Sequence, residues 1–171
     1  MAGFIDIACN FTHESFKHNL EKVINDAERA GVEKFVLLCA SLDDLDPIKK
    51  IQNNAPNKFF ISAGIHPHHA TETVEINYNQ LLRQLQSITP HAIGETGLDY
   101  FRNISPPDIQ KESFRMHIEI AKELNLPLYL HQRDAHNDFI RIIRENRKNF
   151  PKFVVHCFTG TQKKLDEYLD L

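Results

Sequence analysis

Short apolar runs of strand length alternate along this chain with longer amphipathic segments, and this alternation constrains the fold more than any other feature. The predicted strands lie near Phe4–Ala8, Lys34–Leu38, Phe59–Ala63, Ala92–Gly94, Leu128–Leu130 and Phe153–Val155. Strands that are apolar throughout are buried on both faces, as in parallel sheets whose strands are connected by helices. The pattern therefore predicts an α/β protein with a parallel sheet.

The last three predicted strands each lead directly into a potential metal ligand, namely Glu95, His131 and His156. In a (β/α) barrel the carboxyl ends of the strands meet at one mouth, where such side chains come together. Carboxylate and imidazole groups suit Mg²⁺, Mn²⁺ or Zn²⁺ better than an ion that selects thiolates. Either histidine alone could be a core residue that satisfies one hydrogen bond. Their equivalent placement favours a metal-dependent hydrolase.

A histidine-rich segment, 64–69, follows the third predicted strand. Its spacing lets His66 face the barrel mouth, and it places His68 and His69 further out on the loop. A surface loop with no role in the site is the alternative for all three. His66 is therefore a candidate catalytic residue, and the other two are not.

Candidate substrate-binding residues follow the predicted metal ligands. Arg133 and Asp134 come just after His131, where a guanidinium could bind a phosphate through two parallel hydrogen bonds. An ordinary surface pair is the alternative. Tyr100, with Phe101, could stack on a base or could simply pack under the loop.

Asp99 and His136 also lie close to the predicted ligands in the sequence. Metal-bound imidazoles commonly need a hydrogen-bonding partner that fixes their orientation. Both residues are therefore candidates for that orienting role.

The length of 171 residues predicts a single domain, 1–171. The net charge of −3 gives no general electrostatic case for nucleic acid, although a local basic patch could still bind it. Three cysteines outside any CxxC spacing indicate a reducing compartment. No signal peptide is recognisable near Met1 and no apolar window is long enough to span a bilayer, so a cytoplasmic protein without a membrane partner is expected.

Five segments together resemble the TatD family of metal-dependent deoxyribonucleases: 6–12 (DIACNFT), 64–68 (GIHPH), 93–100 (IGETGLDY), 131–136 (HQRDAH) and 156–161 (HCFTGT). The resemblance implies a TIM barrel and 3′→5′ exonuclease activity on DNA, with single-stranded DNA and RNA as candidate substrates. It also implies a divalent ion, Mg²⁺ first and Mn²⁺ or Zn²⁺ as alternatives. By motif, Glu95, His131 and His156 match metal ligands with catalytic roles, and His66 matches a residue at the mouth.

The sequence departs from the family pattern in two places. Many relatives carry a His-x-His pair at the end of the first strand, where this chain has Ala8 and Asn10. This resembles the TatD-proper branch, in which those histidines are absent. The chain also reaches Leu171 inside a predicted helix, after about six of the eight units of a TIM barrel. We therefore expect a C-terminally truncated barrel that lacks a family aspartate, the expected general base.

Two alternatives to an active nuclease stay open at this point. The same metal site could hydrolyse an amide, ester or aminoacyl bond. The chain could also be an inactive fragment or an interaction protein, since an incomplete barrel exposes a sheet edge and apolar surface.

Overall fold

A computed structural model describes residues 3–149 and 152–171, and it shows the predicted alternation of strands and helices. Met1, near which no signal peptide is recognisable, lies outside the described residues. The strands are β1 (Phe4–Cys9), β2 (Val32–Leu38), β3 (Phe59–Ala63), β4 (Ala92–Asp99), β5 (Leu128–Arg133) and β6 (Phe153–Val155). The α-helices are α1 (Leu20–Arg29), α2 (Leu45–Asn54), α3 (Tyr78–Ser87), α4 (Pro107–Leu124), α5 (His136–Asn146) and α6 (Gln162–Leu169).

The six strands form one parallel sheet in the order β1-β2-β3-β4-β5-β6. Each strand therefore pairs with the next strand along the chain, and a helix makes each crossover. This is the topology of a TIM barrel, of which the chain forms six of about eight βα units. The predicted fold class is confirmed.

β4 and β5 are longer than the apolar runs that predicted them. The ladder between them continues past the predicted strand ends and pairs Gly97 with His131 and Asp99 with Arg133. The predicted ends of both strands are therefore wrong, because backbone pairing continues where the side chains turn polar. Glu95 and His131 lie within strands, and strand geometry fixes their direction.

Two glycines in β4 allow it to approach β5 closely. Gly94 and Gly97 have φ angles of +142° and +140°, which L side chains rarely adopt. A Cβ atom on Gly97 would lie 2.0 Å from the carbonyl oxygen of His131, and one on Gly94 would lie 2.0 Å from that of Tyr129. Only glycine fits at both positions.

A β-bulge in β4 includes the first of these glycines, Gly94. Three steps along β4, from Ile93 to Thr96, oppose two steps along β5, from Leu128 to Leu130. A bulge redirects side chains and is frequent beside active sites. Glu95 lies in the bulged segment.

The core lies between the sheet and its covering helices. Phe114 of α4 and Phe139 of α5 are fully buried and stack with their ring centroids 5.4 Å apart. β1 is different, because Phe4 and Ile5 are 69% and 56% exposed at this edge of the sheet. None of the helices in the described ranges is long and apolar enough to cross a membrane.

Two polar side chains on the inner face of α4 form hydrogen bonds with the backbone at or just after the ends of two strands. Gln110 is buried, and its Oε1 accepts a hydrogen bond from the amide of Asp99 at 2.8 Å. Two helical turns further along α4, His117 Nε2 accepts a hydrogen bond from the amide of Ile65 at 3.0 Å. Since Ile65 precedes His66, α4 positions residues that follow β3 as well as the end of β4.

His117 makes the stability of the fold depend on pH. Its Nδ1–H donates to the carbonyl of Ser113 at 2.7 Å while Nε2 accepts, so the neutral ring satisfies both contacts. Complete burial lowers the pKa of His117 to about 4. Below pH 6.5 the unfolded chain binds a proton that the folded chain does not, so stability falls as pH drops toward 4.

We expect this residue to contribute a loss of about 3 kcal/mol in the free energy of unfolding between pH 7 and pH 4. Urea unfolding at successive pH values would measure it. His117→Gln keeps a donor and an acceptor but does not titrate, so its curve should fall less steeply than that of the wild type. Parallel curves would show that other groups cause the pH dependence.

Candidate metal centre

Four predicted site residues converge at the carboxyl ends of β3 to β6. Candidate ligand atoms of His66, Glu95 and His131 all lie within 4.8 Å of one another. His156, directly after β6, contacts Glu95 through its Nε2 atom. Each residue comes from a different βα unit, as predicted from their equivalent places in the sequence. We call these four residues the metal cluster.

Glu95 is the centre of the metal cluster. Its side chain is 9% exposed, and its Oε1 atom lies 3.0 Å from His131 Nδ1 and 3.7 Å from His66 Nε2. Although burial opposes ionisation, hydrogen bonds from His131 and His156 hold the pKa of Glu95 well below its usual range. The carboxylate is therefore ionised and ready to bind a cation at neutral pH.

His131 lies between two carboxylates. Its Nδ1 faces Glu95, and its Nε2 lies 3.2 Å from Oδ2 of Asp99. Burial opposes the charged ring, but the two carboxylates outweigh it and raise the pKa of His131. The negative groups thus attract positive charge to this position, whether it is a proton or a metal ion.

Asp99 contacts both His131 and His68, although His68 was predicted to lie further out on the loop. Its side chain is 2% exposed, and its Oδ2 lies 2.8 Å from Nε2 of His68. The prediction that His68 sits further out on the loop is therefore wrong, because the loop after β3 folds back over the end of β4. His69 is half exposed beside Glu72, in the outer position predicted for it.

Hydrogen bonding decides which nitrogen of His66 carries the proton. Its Nδ1 accepts from the backbone N–H of His68 at 3.2 Å, so in the neutral ring Nε2 is the protonated atom. Burial is the main cause that lowers the pKa of His66 to about 3. A protonated Nε2 is a hydrogen-bond donor, so this geometry favours a donor at the mouth over a metal ligand.

The remaining cluster members fit a divalent ion. Glu95 offers a carboxylate oxygen, and His131 and His156 offer imidazole nitrogens, a donor set that suits Zn²⁺, Mn²⁺ or Mg²⁺. Within the described residues, the buried Nδ1 of His156 has no hydrogen-bond partner. The protein contacts of this ring therefore leave one of its nitrogens free to bind a ligand.

The predicted substrate-binding residues lie at the rim. Arg133 is exposed, and its guanidinium carbon lies 4.1 Å from the ring centroid of Phe101. The hydroxyl of Tyr100 donates to Asp138 of α5 at 2.8 Å, which fixes this ring in place. Tyr100 and Asp134 line a surface cavity of about 480 Å³ beside α5. Their contact with substrate stays a prediction.

His136 has partners other than the metal cluster. It is buried at the start of α5, with Nδ1 3.1 Å from the hydroxyl of Tyr168 and Nε2 3.6 Å from Glu167. The interpretation of His136 as an orienting partner is therefore wrong, because both ring nitrogens face α6. Asp99 has the geometry expected for that role.

Residues that the sequence analysis missed hold Asp99 and His68 in place. Gln110 Nε2 donates to the carbonyls of Asp99 and Ser105, and the Ser105 hydroxyl donates to the carbonyl of His68 at 2.9 Å. One signal was available in the sequence. Gln110 and His117 share the face of α4 that carries the apolar residues Phe114 and Ile118, where a buried polar group needs a specific partner.

The chain is similar in sequence and in fold to known proteins. Two proteins similar to this chain are named 3′-5′ ssDNA/RNA exonuclease TatD. That of Musicola paradisiaca is 36% identical over 167 residues, and that of Erwinia billingiae is 35% identical over 164. Each alignment covers 96% of this chain, but only 62% and 63% of the respective relative. The chain therefore spans less than two thirds of their length.

Solved structures give the same fold. A TatD-family hydrolase of Entamoeba histolytica superposes with a TM-score of 0.87 at 28% identity, covering 98% of this chain and 62% of that one. A TatD homologue of Escherichia coli superposes with a TM-score of 0.82 at 24% identity, covering 98% and 64%. The family model of the TatD related DNases matches residues 5–171. The chain therefore belongs to the TatD-related DNase family.

Proposed function

We propose that this chain forms the metal centre of a phosphodiester hydrolase that removes nucleotides from the 3′ end of single-stranded DNA or RNA. The observation that carries the proposal is the convergence of His66, Glu95 and His131 within 4.8 Å, joined by His156 through Glu95. The names of the curated relatives support an exonuclease, and family membership supports metal dependence. Because the chain spans less than two thirds of those relatives, activity, substrate and ion are all part of this proposal.

Glu95, His131 and His156 would hold the ion. When bound, a divalent ion polarises a phosphate oxygen and lowers the pKa of a water molecule. Glu95 supplies the negative charge, since its pKa is held low by the neighbouring imidazoles. Asp99 keeps the ring of His131 oriented through its 3.2 Å contact. We expect Mg²⁺, Mn²⁺ and Zn²⁺ to differ in affinity, and the donor set admits each of them.

His66 would contribute a hydrogen bond. With Nδ1 engaged by the amide of His68, its Nε2–H can donate to an oxygen of the substrate. Such a donor stabilises negative charge that develops on phosphate, and its effect is strongest in a site that excludes water. His66 suits that function because its side chain is only 12% exposed.

Release of nucleotides from end-labelled single-stranded DNA tests the proposal. Strands labelled at the 5′ end and at the 3′ end should be compared, each with Mg²⁺, Mn²⁺, Zn²⁺ or a chelator. Metal-dependent loss of the 3′ nucleotide is the expected result, and the same assay on single-stranded RNA defines the substrate range. Release that persists in chelator would contradict the role of the metal cluster. Hydrolysis of amide or ester substrates without nucleotide release would favour the alternative enzyme class.

A further inference from the structure

The rim of the metal cluster presents an aromatic ring that the fold does not need. Phe101, just after β4, is 56% exposed, whereas the phenyl rings of the core are fully buried. Arg133 stacks its guanidinium on this ring, with 4.1 Å between the guanidinium carbon and the ring centroid. Single exposed apolar side chains are common on protein surfaces, so what distinguishes Phe101 is its contact with Arg133 beside a polar site.

The backbone on both sides of Phe101 is held in place. Before it, the amide of Tyr100 donates to the carbonyl of Arg133 at 2.9 Å. After it, the amide of Arg102 donates to Oδ1 of Asp99 at 2.8 Å. Tyr100 is also fixed through its hydroxyl. The exposed ring therefore sits on a rigid support, so that a ligand would lose little conformational entropy by ordering it.

Phe101 and Arg133 lie close to the metal cluster. Arg133 and His131 are two residues apart in β5, so they point to the same face of the strand, roughly 6.6 Å apart along it. Phe101 lies in the turn just after β4, two residues beyond Asp99, which contacts His131. A nucleotide that contacts both Phe101 and Arg133 would thus lie close to a phosphate at the metal cluster.

The chemistry of the pair matches one nucleotide. An exposed phenyl ring stacks on any base, because every base has a π face. A guanidinium placed over an aromatic ring still has N–H groups for hydrogen bonds with phosphate oxygens. Among the described residues, Arg133 forms no ion pair with a carboxylate. Its charge is therefore not paired with a carboxylate of those residues.

We propose that Phe101 and Arg133 form a binding platform for the nucleotide next to the scissile phosphate, with the base stacked on Phe101 and a phosphate bound by Arg133. The proposal rests on the proposed nuclease function and adds its substrate-binding site. It accounts for a preference for single strands, because a paired base cannot leave its duplex to stack on the ring without a cost in free energy. It also predicts little preference for base identity.

Binding of a hydrolysis-resistant phosphorothioate single strand tests the platform separately from catalysis. The strand carries a fluorescent adenine analogue at its terminal or its penultimate 3′ position, and stacking quenches the fluorescence. Phe101→Ala should weaken binding by about 5- to 150-fold and remove the quenching, while Phe101→Tyr should retain both. Arg133→Gln should weaken binding and make it less dependent on salt.

Two controls make the result specific to the platform. Phe4→Ala removes another exposed phenyl ring, at the opposite end of the barrel. Arg83→Gln removes an exposed charge on α3. Both variants should bind like the wild type. A strand with an abasic residue at the stacked position should lose the same affinity with the wild type, and Phe101→Ala should then have no further effect. Unchanged binding and quenching in Phe101→Ala would overturn the platform.

Nucleotide release from an unmodified strand, measured in parallel, separates the two proposals. Quenching that depends on Phe101 without metal-dependent release would support the platform and contradict the nuclease function of this chain. Release at wild-type efficiency by Phe101→Ala, measured as kcat/KM, would support the nuclease and overturn the platform.

Discussion

Glu95→Gln should abolish metal-dependent nucleotide release, with a loss of at least about 10³-fold. The carboxylate contacts three imidazoles, and glutamine keeps its shape while removing its charge. A cation would then face neutral ligands in a buried site, so its binding should fail as well. In the wild type an ion at about a hundred times its Kd should add about 2.7 kcal/mol to the free energy of unfolding. The variant should show no such gain in a thermal shift measurement.

Glu112→Gln is the matched control, since Glu112 is an exposed glutamate on the outer side of α4. It should retain both release and the metal-induced rise in melting temperature. The role of Glu95 would be refuted if Glu95→Gln kept metal-dependent release within tenfold of the wild type. Measuring melting temperature and activity on the same samples separates failure to bind metal from failure to fold.

Gly97→Ala should strongly destabilise the fold. Its Cβ would lie 2.0 Å from the carbonyl oxygen of His131, and the φ angle of +140° is unfavourable for any L side chain. Because the clash is with backbone in a strand ladder, β4 and β5 must move apart. We expect a loss of about 3–5 kcal/mol in the free energy of unfolding, or about 10 °C in melting temperature. Since Glu95 and His131 face each other across this pair of strands, metal affinity should fall too.

Gly3→Ala provides the comparison. A Cβ at Gly3 would meet only the flexible side chain of Glu33, which can move away. Its melting temperature should stay within about 2 °C of the wild type, in line with a surface substitution. A Gly97→Ala variant as stable as Gly3→Ala would show that the two strands can separate without cost, contrary to the packing described above.

The apolar runs predicted the sheet well because burial on both faces is a local property of each strand. β3 and β6 begin and end where their apolar runs do. β4 and β5 do not, because their last residues are polar and are held by backbone pairing between strands distant in sequence. The alignment of Glu95 and His131 depends on that pairing, which no local pattern reveals.

The same limit explains the other errors at the site. The position of His68 depends on how the loop after β3 folds over Asp99, a contact across 31 residues. His136 was assigned by its distance in sequence from His131, but it faces Tyr168 of α6 instead. The predicted ligands themselves came together as expected, since the carboxyl ends of neighbouring parallel strands share one edge.

The metal cluster offers one ligand from each of three consecutive βα units, β4 to β6, with contacts that span 36 residues from Glu95 to His131 and 61 from Glu95 to His156. An ion held there would act as a cross-link between segments that lie far apart in the sequence. Detaching any one of these three units would release the ion, so its binding would make them unfold together. β1, β2 and β3 lie outside the cross-link. They could open and close while the ion stays bound, which would divide the sheet into one part that the metal stabilises and one that it does not.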